Sequence, residues 1–205
     1  MNTARKITSA DQRAVYRPYP ATPPTVAKTA VGLIENNPMV VLSGTRQPFA
    51  DNRQIGKTLA CREIGARLRG AGKRISYADI KRMLRVDTTR FSYIHVEDFR
   101  YHLVDNLAPS EIYIFDEIHH AFPRDPQSKM RDVWELPIYR GEEYNDAMFA
   151  FWEKIGRLKM EGRRFLMVTA LHPQDAEYQE YLFAPPIQAF FSAPIVELAF
   201  SHPRA

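Results

Sequence analysis

The sequence predicts an α/β fold, a three-layer sandwich in which helices cover both faces of a mainly parallel five-stranded sheet. Three observations carry this reading. Short apolar runs alternate along the chain with segments whose apolar residues recur at helical spacing, the alternation of a parallel sheet with crossover helices. The composition, 45% apolar and 25% charged over 205 residues, suits one domain with a full core. No run of about 18 uncharged apolar residues occurs, and the most apolar stretch, Gln188 to Phe200, is broken by Pro194 and Glu197, which excludes a membrane-spanning helix there.

Residues 1–21 are polar and basic, are punctuated by Pro18 and Pro20, and read as an N-terminal arm ahead of a domain spanning 22–205. Thr22 as N-cap and Pro23 at the first helical position precede Val26, Ala30, Leu33 and Ile34 at helical spacing, and Asn36, Asn37 and Pro38 stop that helix. Met39 to Ser43 reads as the first strand. From Lys57 a helix carries Ala60, Ile64 and Leu68 on one face, ended by Gly70 and Gly72. Arg74 to Tyr77 is a second strand, Ile80 to Leu84 a short helix, and Val96, Phe99 and Leu103 mark another helix before Pro109. Ile112 to Phe115 is the third strand. Residues 124–145 lack a period and read as an insertion, after which Asn145 caps a helix with Met148, Phe151, Trp152, Ile155 and Leu158 on one stripe. Phe165 to Val168, a helix over Ala176 to Leu182, and a last strand from Ile195 to Phe200 complete the pattern.

Composition bounds function as well. A single cysteine, Cys61, forms no internal disulfide and reads as a small buried apolar residue. The first twenty residues hold no apolar core of a secretion signal, so a cytoplasmic location is expected. The net charge is +4, yet residues 62–90 hold nine Lys or Arg against three Asp or Glu. That segment, with Arg67, Arg69, Lys73, Arg74, Lys81, Arg82, Arg85 and Arg90, is a candidate surface for a phosphate-rich partner, DNA above all. It lacks a stacking-aromatic pattern, and Tyr77 and Phe91 read as core. Six histidines include no His-Glu-x-x-His and pair with no cysteine set, so Mg²⁺ is the one metal the sequence invokes. No Gly-x-Ser-x-Gly elbow is present.

Two elements carry chemistry. The first strand runs into Gly44, and Gly56-Lys57-Thr58 opens the next helix. Phosphate binding needs backbone N–H donors at a helix N-terminus, a lysine ammonium for the outer phosphates and a hydroxyl for Mg²⁺. The second element is Ile112-Tyr113-Ile114-Phe115-Asp116-Glu117, four apolar residues feeding two adjacent carboxylates. A buried parallel strand delivers such a pair at its carboxyl edge, where open α/β sheets bind ligands. Asp116 suits the Mg²⁺ shell, and Glu117 suits orienting or deprotonating a water that attacks the γ-phosphate.

In these two elements the sequence resembles the P-loop NTPases, in the division with a catalytic glutamate after the Walker B aspartate and an added strand between the Walker strands. The resemblance covers roughly residues 39–200 and implies a sheet order of 5-1-4-3-2. It implies ATP and Mg²⁺ as ligands, with Gly44, Gly56, Lys57, Thr58 and Leu59 at the nucleotide. Thr58 and Asp116 would stand at the metal, and Lys57, Glu117 and Thr169 in catalysis, Thr169 as the polar sensor ending Phe165-Leu166-Met167-Val168. Within the division the chain loosely resembles phage assembly ATPases of the zonula occludens toxin type and viral genome-packaging ATPases, through His119-His120-Ala121-Phe122-Pro123-Arg124 after the acids. It is also similar to helicase loaders through Gly72 to Tyr77, and Asp116 to His119 resembles the DEAH-box string.

These likenesses imply an ATPase that moves or packages DNA or assembles a nucleic-acid machine, as a homo-oligomer with other assembly proteins. Arg124, Arg140, Arg163 and Arg164 are the candidate arginine fingers. The loop departs from the family pattern, because eleven residues instead of four separate Gly44 from Gly56 and Asp51 stands where the first glycine is expected. Arg46 and Arg53 are the residues that would compensate, by contacting phosphate. The alternative reading is a non-hydrolysing scaffold on a degenerate P-loop fold. The long loop also loosely resembles that of dethiobiotin synthetases, without their substrate motifs.

Overall fold

The computed structural model describes residues 24–44, 56–80, 109–123, 142–169, 173 and 185–198. Helix α1 (Pro24–Asn36) leads into strand β1 (Met39–Gly44), and α2 (Lys57–Gly70) into β2 (Ile75–Asp79). Strand β3 (Ile112–Asp116) runs through a 3₁₀ turn (Ile118–Ala121); α3 (Glu142–Met160), β4 (Arg164–Val168), α4 (Pro185–Phe191) and β5 (Ile195–Leu198) follow. The five strands form one sheet in the order β2-β3-β4-β1-β5, and all four pairings are parallel. Read from the other edge this is the predicted 5-1-4-3-2. It is an α/β sheet of the P-loop NTPase kind.

Side chains alternate across a strand, and β3 shows what that alternation builds. Ile112 and Ile114 join Ala60, Cys61, Ile64 and Leu68 of α2 and Ala27, Ala30 and Ile34 of α1 in one core cluster. Tyr113 and Phe115 face the opposite side, packing with Met148, Phe151, Trp152 and Ile155 of α3 and Phe190 of α4. The first layer is aliphatic and close, with a Cβ built on Gly65 of α2 falling 3.6 Å from Ile114 Cδ1. The second is aromatic: Phe115 meets Phe151 edge-on at 5.4 Å, and Phe122 meets Trp152 at 5.1 Å. Between the layers, residues 40–42 of β1 and 165–168 of β4 are fully buried.

Several boundaries differ from the sequence reading. Helix α3 begins at Glu142, so Asn145 is a buried residue inside it and not its cap, and the stretch expected as an insertion ends before 142. The paired glutamates 142 and 143 are the residue type that suits a first helical turn, where the helix dipole favours negative charge. Helix α4 was not anticipated; its Pro185-Pro186 start fits a first turn, whose N–H groups have no intrahelical acceptor. Turns with Gly72 at φ 79° and Gly162 at φ 81° end α2 and α3, with Lys73 and Arg163 N–H returning to Leu68 and Leu158 carbonyls. The arm, the 45–55 loop with Asp51, the helices expected at 96–103 and 176–182, and 124–141 lie outside the described residues.

Candidate functional site

Because Asp116 shares the parity of Ile112 and Ile114, its carboxylate leaves β3 on the α2 side, at the carboxyl edge of the sheet. Gly56 places the start of α2 there. Its φ of 82° lies in the left-handed region, where a residue with a Cβ is strained, and it sits at the N-cap with no side-chain cap bond. The helical ladder starts with Ala60 N–H donating to Gly56 C=O at 2.9 Å. The amides ahead of it point out of the helix end, the arrangement that receives anions. Leu59 is 41% exposed, so any part it plays there is through its backbone.

The two predicted elements meet. Thr58 Oγ1 donates to Asp116 Oδ2 at 2.9 Å, joining residues 58 positions apart. The same oxygen accepts from the Tyr77 hydroxyl at 2.9 Å, and Asp116 Oδ1 accepts from the Glu117 N–H at 3.0 Å. Asp116 is 1% exposed, and three donors offset its desolvation. With the Thr58 proton committed to the carboxylate, the hydroxyl lone pairs are turned elsewhere, as a ligand oxygen requires. A hydroxyl beside a carboxylate is a hard oxygen donor set, which fits Mg²⁺.

Lys57, the first residue of α2, is 4% exposed. The fields of Asp116, Glu117 and Lys57 all reach the buried Cys61 thiol; its pKa is raised chiefly by desolvation and then by the two carboxylates, with Lys57 acting in the opposite sense. Tyr77 is pushed up too, first by burial and then by the Asp116 charge. Thr169 is fully buried one step beyond β4, with its N–H donating 3.0 Å to Leu42 C=O of β1. Since β4 lies between β3 and β1, Thr169 stands between the strand carrying the acids and the strand ending in Gly44.

Glu117 has the sole positive φ outside glycine among the described residues, 58°. That conformation costs about 1–2 kcal/mol for an L-residue and turns the chain from β3 into the 3₁₀ turn. It also gathers side chains. The Glu117 Oε2 lies 3.4 Å from His119 Nε2 and 4.0 Å from His120 Nε2, and the two imidazole centroids are 4.3 Å apart. One ligand atom from each of the three falls within 4.8 Å of the others. The sequence reading, searching for longer zinc spacings, missed this group.

Tyr77 is corrected as well. Expected as core, it is 39% exposed and serves Asp116 from the neighbouring strand, in register with Ile114 two residues before the acid. Arg163 and Arg164 sit at the amino end of β4, the opposite edge of the sheet from Asp116, and Arg124 and Arg140 lie outside the described residues. At that far edge the basic segment is partly neutralised: Arg67 pairs with Glu63 at 3.0 Å, and Lys73 and Arg74 approach Glu111 at 3.8 and 3.5 Å. Residues 81–90 lie outside the described residues. No described helix is long and apolar enough to cross a membrane.

The sequence matches no family profile and no curated protein. Among solved structures, one shares the fold and two more are similar at a lower score. A DNA replication initiation factor superposes with a TM-score of 0.50 at 13% identity, over 94% of this chain and 47% of its own. AMPPCP-bound DnaA from Aquifex aeolicus gives 0.44 at 14% identity, over 84% and 44%. Replication initiator DnaA bound to AMPPCP and single-stranded DNA gives 0.49 at 13%, over 86% and 45%. The chain thus spans less than half the length of each, and the likeness to the replication initiation factor, at 13% identity, is one of fold alone.

Proposed function

We propose that this domain is a Mg²⁺-dependent P-loop ATPase that acts on DNA, driving its movement or packaging or the assembly of a nucleic-acid machine as a homo-oligomer in the cytoplasm. The observation that carries the reading is the 2.9 Å bond from Thr58 to Asp116. A hydroxyl at a helix N-terminus and a carboxylate at a strand end have no packing reason to converge at the polar edge of a sheet, whereas a nucleotide–metal site requires both. Support for DNA as partner comes from the basic segment and from the solved neighbour described as a DNA replication initiation factor.

In this reading the first-turn amides of α2, with Gly44, Gly56 and Leu59, cradle the phosphates. Lys57 neutralises the outer ones, and Thr58 and Asp116 would hold Mg²⁺, which would supply charge neutralisation for the phosphates. Glu117 takes a proton from the water that attacks the γ-phosphorus, the bond to the bridging oxygen breaks, and ADP and phosphate leave. Thr169 contacts the γ-phosphate. The test is ATP turnover with Mg²⁺, with and without single- and double-stranded DNA, in the wild type and in Lys57→Ala and Glu117→Gln. Turnover lost in both variants is the expected result; wild-type turnover in Glu117→Gln would remove that residue from the chemistry.

The eleven-residue loop with Asp51 favours the second reading, a scaffold in which nucleotide does not bind productively. Titration with a fluorescent ATP analogue separates the two, because the scaffold gives no saturable Mg²⁺-dependent signal.

A further inference from the structure

We propose that Glu117, His119 and His120 form a binding site for a late first-row divalent cation of the Zn²⁺, Co²⁺ or Ni²⁺ class, beside the Thr58–Asp116 pair and chemically unlike it. Both imidazole Nε2 atoms address the same carboxylate oxygen, at 3.4 and 4.0 Å. Ligand atoms around a tetrahedral zinc stand roughly 3.3–3.5 Å from one another, given bonds of about 2.0–2.2 Å, so small side-chain rotations bring the three atoms onto one ion. Two nitrogens and one carboxylate oxygen select zinc-like ions over Mg²⁺, which prefers oxygen alone.

The backbone beneath these side chains is already held. Ile118 and Ala121, on either side of the histidines, are fully buried, and the Ala121 carbonyl accepts a 2.6 Å bond from Trp152 Nε1. The two histidine side chains are 13% and 14% exposed and Glu117 is 28% exposed, so all three are largely enclosed, the carboxylate least. A tetrahedral ion held by three protein ligands takes a water or an anion as its fourth.

The full chain is titrated with Co²⁺ in excess Mg²⁺ and followed by visible ligand-field absorption. One equivalent binds, Zn²⁺ displaces it, and His119→Gln and His120→Gln, shown folded by circular dichroism, each weaken binding roughly tenfold or more. Lys57→Ala, which lacks turnover under the proposed function, keeps the Co²⁺ signal. Absence of binding, unchanged binding in both histidine variants, or displacement by Mg²⁺ overturns the site. Resting on the proposed function, an ion held there occupies the carboxylate needed for the water's proton and inhibits ATP turnover. Co²⁺ bound without such inhibition would count against that role of Glu117 and leave the site standing.

Discussion

Tyr77 donates a 2.9 Å hydrogen bond to Asp116 across the β2–β3 boundary, reaching diagonally past its register partner Ile114 to the oxygen that Thr58 also addresses. A residue on the edge strand thereby fixes the orientation of a carboxylate on its inner neighbour.

Tyr77→Phe keeps the ring and removes the donor. Hydrogen bonds to charged groups contribute about 1.5–3 kcal/mol, and the hydroxyl is partly buried, so a loss toward the lower end of that range is expected in urea unfolding, with the slope unchanged. Unchanged stability would mean that water replaces the hydroxyl at no cost.

Cys61 supplies a pH dependence. Its thiol is raised above the usual value, chiefly by burial, so above about pH 8.5 the unfolded chain sheds this proton while the native chain keeps it. The unfolded state then binds fewer protons, and stability falls as pH rises. The contribution is complete below the unfolded value and is lost progressively as pH rises from there through the raised native value. Cys61→Ala should flatten the alkaline slope of the unfolding free energy, and an identical slope would refute the assignment.

Trp152→Phe strips the donor from the buried Ala121 carbonyl and thins the ring contacts with Phe122 and Phe190. The orphaned acceptor alone costs about 1–3 kcal/mol, read as a drop in thermal midpoint. No drop would show that the turn relaxes to find another donor.

Gly56 separates conformation from space. Among the described residues nothing lies within 4 Å of a Cβ built there, yet its φ is 82°. Gly56→Ala should cost about 1–2 kcal/mol from the backbone alone, with Gly56→Asn milder because asparagine visits that region more readily. Equal losses in the two variants would point to contacts instead.

The strands were legible because buried parallel strands write themselves as apolar runs, their order followed from the resemblance to P-loop NTPases, and Thr58 and Asp116, singled out by residue type, are brought together by the fold. Ile112 to Phe115 and Phe165 to Val168 carried that signal almost unaided. Tyr77 was not legible: without a stacking-aromatic pattern around it the ring read as core, and only the pairing of β2 with β3 brings its hydroxyl to Asp116. The Glu117–His119–His120 group escaped because it depends on one left-handed residue, which the sequence around a glutamate does not announce. Helix α4 escaped through its brevity and its opening prolines.

The backbone of Glu117 sets shape against chemistry. Its φ of 58° suits glycine or asparagine better than a glutamate, while every role argued for the position needs a carboxylate. Replacing it with glycine should ease the turn and silence the site in the same step. Engineering that rewards heat resistance alone would therefore steer toward an inert protein, and thermal robustness is a misleading guide to working variants at this residue.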